Sequence, residues 1–319
     1  MSSFNSNTDW MTKAGFGIMF HYLAGEAGLG EEYNPLQWKN EVESFDIKSF
    51  VDKILYTGAK YMIFTIGQNS GYYCAPNSFF DEKVGYIYEP GSDTPINTQR
   101  RTTNRDLPME IIDELAARQA DVKVLLYAPV HPAASDKKAL SKYGWQYNLG
   151  LYGTPVPLDN IIIEEWYKTL GWWSEHYGTK IAGWWLDGFY DESLHNVVLF
   201  TKYLKSGNPG SIIAYNTGVN NHTVTEFDDY LAGEQNDDLY RFGNGRWTNN
   251  KQSHILTYLG TTWGHGKAPQ YSVDRVTATV KNLMNHGICI TYDMPIAKNG
   301  GIAPAFLETL HQVRINLNA

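Results

Sequence analysis

Cysteine is scarce in this chain: only Cys74 and Cys289 occur, far apart in sequence. Two thiols do not build a disulfide framework, and their scarcity favours a reducing compartment. Long apolar runs are missing as well, since no stretch reaches the roughly 18–20 apolar residues that cross a bilayer. Residues 1–8 lack the basic segment and apolar run of a secretory leader. The expectation is a soluble cytoplasmic protein, or a periplasmic or secreted one where a leader has been trimmed. The formal net charge is −8 and no run of Lys or Arg interrupts it, which argues against a nucleic-acid surface. Nine histidines show neither His-Glu-x-x-His nor Cys-x-x-Cys spacing, so no metal site is expected. A Gly-x-Ser-x-Gly elbow and a phosphate loop are also absent from the sequence. Serine-elbow hydrolysis and nucleotide chemistry are thereby disfavoured, and no cofactor is called for.

What the chain does have is apolar and aromatic material. With 319 residues and 43% hydrophobic content it can bury a large core, as one big barrel or as two smaller domains. Ten Trp and 22 Tyr are compatible with rings stacked on sugar faces, although a large core uses aromatics too. Short apolar runs recur at 16–21, 61–66, 122–128, 181–187, 211–216, 230–234, 255–260 and 288–293. Several are nearly continuous Ile, Val, Leu, Tyr or Trp, the pattern of parallel strands buried on both faces.

Between the runs lie amphipathic segments. Asp46 is placed to cap a helix whose apolar face is Ile47, Phe50, Val51, Ile54 and Leu55, with Gly58 as its stop. Asp106 precedes Leu107, Ile111 and Leu115, with Pro108 in the first turn, where a missing N–H costs little. Further stripes comprise Ile163 to Trp173, Leu194 to Leu204, Val276 to Leu283 and Phe306 to Val313. Eight strands alternating with helices predict an α/β fold, a (β/α)8 TIM-like barrel formed by residues 1–319 as a single domain. The connection between the fifth and sixth strands is too short for a full helix, so irregularity is expected there, and a doubly wound open sheet stays open as the alternative. Long irregular stretches at 67–104 and 235–253 leave the carboxyl ends of strands, where barrel enzymes build their sites.

The sharpest chemical signal is Gly183-Trp184-Trp185-Leu186-Asp187-Gly188. Side chains two apart share a strand face, so Trp185 and Asp187 should point together. An aromatic platform beside a carboxylate suits glycosyl transfer, in which the ring packs on apolar C–H faces while the carboxylate attacks or stabilises an oxocarbenium-like centre. The plainer reading of an Asp-Gly strand end is a cap or salt bridge. Retaining hydrolysis needs a second carboxyl about 5–5.5 Å away. Glu234, ending the run 230–234, is the best candidate, against the plain reading of an exposed loop Glu. Asp191, Glu192, Asp237 and Asp238 are rivals, and Asp293, at the end of the last strand, more naturally serves structure.

The motifs then resemble one family. Ala14-Gly-Phe-Gly-Ile-Met-Phe-His21 is similar to the Lys-Phe-Gly-Ile-Phe-x-His-Trp opening of glycoside hydrolase family 29, the α-L-fucosidases. Thr57-Gly-Ala-Lys-Tyr-Met-Ile-Phe-Thr65 resembles the family's second-strand motif Ala-Gly-Ala-Lys-Tyr-x-x-x-Thr. Arg105-Asp-Leu opens the next helix as in that family, and 122–127 looks like its third strand. Trp185-Leu-Asp187 resembles the Trp-x-Asp nucleophile motif, and Asp229-Tyr-Leu-Ala-Gly-Glu234 its acid/base segment. Asn285-His-Gly-Ile, the run to Asp293 and Asn299-Gly-Gly resemble the closing strand and turn. The resemblance covers the barrel and leaves no residues for the C-terminal β-sandwich that many members carry.

It implies a retaining exo-glycosidase of α-L-fucosides or close relatives, with a carbohydrate as partner and no nucleic acid or membrane. Asp187 would be the nucleophile and Glu234 the general acid/base. His21 would bind sugar hydroxyls, Trp185 would border the sugar, and Tyr127 at a strand end would line the pocket. Trp263, in Trp263-Gly-His265, would add a subsite wall or simply pack, and His131 would reach the site or serve its loop. One departure stands out: where the family has two adjacent histidines after the second strand, this chain has Gln68-Asn69. Both amides can hydrogen-bond a sugar but neither can become cationic, so the geometry of hydroxyl recognition differs. Glycosidases for galactose- or arabinopyranose-configured sugars, and a non-catalytic glycan-binding barrel, are the alternatives that follow.

Overall fold

The structure, a computed structural model, describes residues 5–25, 35–86, 100–147, 149–159, 162–219, 224–236 and 245–318. Seven strands form one sheet: β1 (Phe16–Phe20), β2 (Tyr61–Thr65), β3 (Lys123–Pro129), β4 (Gly183–Asp187), β5 (Ile212–Tyr215), β6 (His254–Tyr258) and β7 (Cys289–Asp293). Every pairing is parallel, and the order is β6-β7-β1-β2-β3-β4-β5. Chain order is kept all the way round, with the last strand beside the first. A doubly wound sheet reverses its order in the middle, so that alternative is excluded for this sheet.

The run 230–234, expected as a strand, is not one. It makes isolated parallel bridges, Tyr230 with Gln252 and Glu234 with Leu256. Backbone bonds nevertheless tie it to both edges of the sheet. Asp229 N–H reaches Ile213 O at 2.8 Å, Leu231 N–H reaches Gln252 O at 3.0 Å, and Leu256 N–H reaches Gly233 O at 2.8 Å. The segment thus occupies the place of the eighth strand while following an irregular path. Gly233 with φ +69° breaks the extended run there, and a Cβ on it would lie 2.1 Å from His254 O.

Helices expected from periodicity form with their caps, in a chain that also folds α1 (Pro35–Glu43) and α5 (Lys137–Tyr143). The Asp46 side chain accepts Ser49 N–H at the start of α2 (Ile47–Thr57), and Gly58 closes it at φ +78°. Asp106 caps α4 (Leu107–Ala117), with Pro108 in its first turn. Helices α6 (Ile163–Tyr177), α7 (Val197–Leu204), α8 (Val273–Asn285) and α9 (Pro304–Asn318) follow the expected stripes, although Leu194 falls in a short 3-10 turn before α7. The 67–104 stretch contains α3 (Ser78–Val84), which the sequence pattern did not reveal.

Strand alternation divides the core in two. Phe20, Phe64, Leu126, Trp184, Leu186 and Ile290 pack outward on the helices, in one cluster with Phe50, Ile54, Trp166 and Phe306. Met19, Ile63, Leu125, Tyr127, Trp185, Ala214 and Leu256 point inward and pack with one another. Large rings plug the interior, each contributing roughly 1.5–3 kcal/mol through burial. Gly17 makes room for one of them, because a Cβ there would lie 2.2 Å from the Tyr61 ring. With the lower interior filled, the open space lies at the carboxyl ends of the strands.

Candidate active site

Strand register sets the site. Pro129 pairs with Asp187, Leu186 with Tyr215, and Asp293 with both Met19 and Tyr258. The last residues of these strands therefore stand at one level around one mouth. A cavity of about 450 Å³ opens there, bordered by His21, Gln68, Asn69, Tyr127, Trp185, Asp187, Glu234 and Trp263. The eight residues assigned to the site from the sequence all border this one space. Tyr190, His265 and Lys298 also line it.

Asp187 is held from two sides. Its Oδ2 accepts the Tyr127 hydroxyl at 2.6 Å and Gln68 Nε2 at 3.2 Å, and its Oδ1 accepts Asn216 Nδ2 at 3.0 Å. The Tyr127 ring stacks on Trp185 with centroids 5.1 Å apart, which fixes the hydroxyl. Trp185 in turn donates Nε1–H to Ala232 O at 3.0 Å. Burial and the neighbouring Asp187 carboxylate push the Tyr127 hydroxyl far above the usual phenol range, so it remains a proton donor to Asp187.

Glu234 accepts Asn216 Nδ2 at 2.6 Å through Oε2. Asp187 Oδ1 and Glu234 Oε2 thus share one amide nitrogen, which keeps these two oxygens within about 5.6 Å of each other. Burial, and then the charge of Asp187, raise the Glu234 pKa to about 7, while the Asn216 hydrogen bond and His21 pull the other way. Two carboxyls this close do not both ionise readily, so Glu234 is the one poised to hold a proton near neutrality.

His21 lies across the cavity, its Nδ1 2.8 Å from Asp293 Oδ1. Burial opposes charge on the ring, but Asp293, with Asp187 and Glu234 beyond it, outweighs burial and raises the pKa. Asp293 Oδ2 also takes Gly264 N–H at 2.5 Å, which anchors the turn carrying Trp263. The Trp263 ring meets His21 edge-on at 5.9 Å and donates Nε1–H to Asn236 Oδ1 at 2.8 Å. Asp293 is therefore a structural acid that orients a site histidine.

The pair Gln68-Asn69 divides its work. Gln68 Nε2 is committed to the Tyr127 hydroxyl and Asp187, so its amide steadies the acid rather than facing the cavity freely. The Asn69 amide has no hydrogen-bond partner among the described residues and borders the main cavity and a second one of about 100 Å³. This smaller space also touches His131, Asp187, Gly188 and Tyr190. His131 is buried with Nδ1 3.1 Å from Pro132 O, and burial lowers its pKa, so it is a neutral loop residue behind Asp187.

Among the rivals, Asp191 caps a short 3-10 turn through Ser193 and Glu192 is exposed, and neither borders the cavity. Asp237 and Asp238 lie outside the described residues. Asn216 is what sequence reasoning missed. Its only signal was its place at the end of the fifth apolar run, the position Asp187 holds on the fourth. No group of three or more His, Cys, Asp or Glu suited to a metal ion occurs among the described residues.

Neither a protein-family profile nor a curated protein sequence matches the chain. Solved structures do resemble it. The endo-fucoidan hydrolase P5AFcnA from glycoside hydrolase family 107 is 15% identical, with TM-score 0.68 over 99% of this chain and 94% of that one. A variant of the α-L-fucosidase AlfC in complex with 4-nitrophenyl α-L-fucopyranoside is 15% identical, with TM-score 0.66 over 98% of each chain. The α-L-fucosidase isoenzyme 1 from Paenibacillus thiaminolyticus is 16% identical, with TM-score 0.65 over 98% of this chain and 76% of that one. At such identities the likeness establishes a shared fold, a TIM-like α/β barrel common to two glycoside hydrolase families.

Proposed function

We propose that this chain is a glycoside hydrolase, a retaining exo-glycosidase of α-L-fucosides or of a sugar sharing fucose's axial hydroxyl, acting through a single catalytic barrel without a cofactor. The observation that carries the reading is the pairing of Asp187 with Glu234 at one cavity, where burial and the Asp187 charge bias Glu234 to hold a proton near neutral pH. One oxygen of each lies within about 5.6 Å of the other, which is compatible with the roughly 5–5.5 Å carboxyl separation of retaining pairs. The barrel shared with fucose-active enzymes supports the sugar class. It does so for a fucosidase-like barrel in general, since families 29 and 107 both lie within reach of this fold.

In this reading Asp187 attacks the anomeric carbon as the bond to the leaving oxygen breaks, and Glu234 gives that oxygen its proton. Water then adds to the anomeric carbon, gives a proton to Glu234 and releases Asp187. His21 and Asn69 supply hydrogen bonds to the sugar, and Trp185 and Trp263 supply apolar walls. The test is a panel of chromogenic glycosides, with α-L-fucoside, α-galactoside and arabinopyranoside compared in wild type and in Asp187→Ala. Turnover of the fucoside, reduced at least about a thousandfold in the variant, is the expected result. A panel with no turnover, or an Asp187→Ala variant as active as wild type, ends the reading.

A further inference from the structure

The irregular path of residues 230–234 poses a mechanical problem. Asp187 stands on a strand paired on both sides, whereas Glu234 stands on a segment with single bridges only. The peptide groups flanking it are tied to Leu256, through Gln235 N–H at 2.9 Å and Gly233 O at 2.8 Å, so β6 registers Glu234. Strand β4 reaches the segment upstream of it, through Trp185 Nε1–H to Ala232 O at 3.0 Å and the Tyr230 hydroxyl to Trp184 O at 2.9 Å. Across the gap, the described side chain that joins the two carboxyls is Asn216.

Asn216, just past β5, is hydrogen-bonded to the backbone on either side of the nucleophile. Its N–H donates to Leu186 O at 2.7 Å and its carbonyl accepts Phe189 N–H at 3.0 Å, bonds that bracket Asp187 and Gly188. Its side-chain Oδ1 accepts Gly218 N–H at 3.1 Å, so the amide cannot turn over, and the residue is 1% exposed. Both amide hydrogens therefore face carboxylates, one on Asp187 and one on Glu234.

We propose that Asn216 is a positioning residue that ties the protonation of Glu234 to the covalent state of Asp187, an inference that rests on the retaining reading above. In the free enzyme the amide serves two acids. When Asp187 forms its bond to the anomeric carbon, the leaving group departs with the proton of Glu234 and the charge on Asp187 disappears. The bond from Asn216 to Asp187 then drops from charge-assisted to neutral, while the bond to the newly ionised Glu234 becomes the charge-assisted one. Glu234 is thus stabilised as a carboxylate at the step where it must accept a proton from water. The titratable groups facing Glu234 are Asp187 from β4, His21 just past β1 and Tyr127 from β3, and Asn216 is the neutral donor among them.

The experiment compares pH profiles of wild type, Asn216→Ser and the near-isosteric Asn216→Asp, which keeps the shape but replaces the amide donor with a further carboxyl oxygen. The basic limb of kcat/KM for a fucoside with a poor leaving group follows Glu234 as acid. The acid limb of kcat for a dinitrophenyl fucoside, under conditions where the glycosyl-enzyme accumulates, follows it as base. Losing one hydrogen bond to a charged acceptor should move both limbs upward by roughly one pH unit, with Asp moving them further than Ser. Limbs left at their wild-type positions, with only Tm or overall rate reduced, would reduce Asn216 to a structural residue and overturn the proposal. Glu234→Ala separates the two levels of inference. A basic limb surviving in that variant belongs to another acid, and both the functional reading and the Asn216 proposal then fall. A limb lost in Glu234→Ala but unmoved in the Asn216 variants removes the Asn216 proposal alone.

Discussion

His21, at the cavity wall, is paired with the buried Asp293, Nδ1 against Oδ1 at 2.8 Å, although 272 positions separate them in sequence. Asp293 favours the protonated form of a histidine that borders the same cavity as Asp187 and Glu234. The pairing has a sign that can be checked. Because the folded pKa of His21 lies above its ordinary value of 6.5, the pair's stabilisation is fully present below about pH 6.5 and is lost as pH rises through the raised value. Asp293→Asn can still accept Gly264 N–H but loses the charge. Its Tm deficit should therefore be larger at about pH 5.5 than at about pH 9. A deficit independent of pH across that range would mean that His21 is neutral in the fold.

Glu234 acts on the leaving group, so its loss should depend on how good that group is. Glu234→Ala should lower kcat/KM by roughly 10²–10⁴-fold on natural glycosides and far less on aryl glycosides with acidic phenols. Azide should restore part of the rate by capturing the intermediate. Equal losses on both substrate types, with no rescue, would assign the proton to a different group.

Gln68 and Asn69 are neighbours with different duties, and kinetics can separate them. Gln68→Ala removes a donor to Asp187 and Tyr127, so the expected loss is mainly in kcat. Asn69→Ala removes an amide that faces open space, so the loss should fall mainly on KM. Each effect should be about 1–3 kcal/mol, or roughly one to two decades in kcat/KM. If the two variants showed the same division between kcat and KM, the contrast drawn from their hydrogen bonds would be mistaken.

Gly188 follows the nucleophile at φ +89°, and a Cβ there would lie 2.8 Å from His131 Nε2. Gly188→Ala combines an unfavourable backbone angle, about 1–2 kcal/mol, with a contact against a buried ring. We expect a Tm several degrees lower and a fall in kcat, because Asp187 is the adjoining residue. The double variant Gly188→Ala, His131→Ala should recover part of the stability by removing the obstruction. Absence of any recovery would place the whole cost in the backbone.

Much of this was legible in the chain. Parallel strands buried on both faces need continuous apolar runs, so seven of the eight runs announced themselves, and Asp46 and Asp106 marked their helices through capping chemistry that is local in sequence. Trp185 and Asp187 could be placed on one face because strand periodicity is also local. Helix α3 escaped because its apolar content continues that of the loop around it. The run 230–234 has strand-like composition, yet its path is set by Gly233 lying against the backbone of His254, a contact between distant segments.

The sequence by itself determined the elements, the direction in which their side chains point and the residue types available for chemistry, since each depends on neighbours a few positions apart. Tertiary structure alone decided the partnerships. Barrel order sets β7 beside β1, and with it Asp293 beside His21. The register of β4 and β5 carries Asn216 to a point between Asp187 and Glu234, and the same ring of strands turns Gln68 towards the nucleophile. Such pairings join residues 18 to 272 positions apart. They are fixed by strand register and closure of the sheet, which only the folded chain establishes.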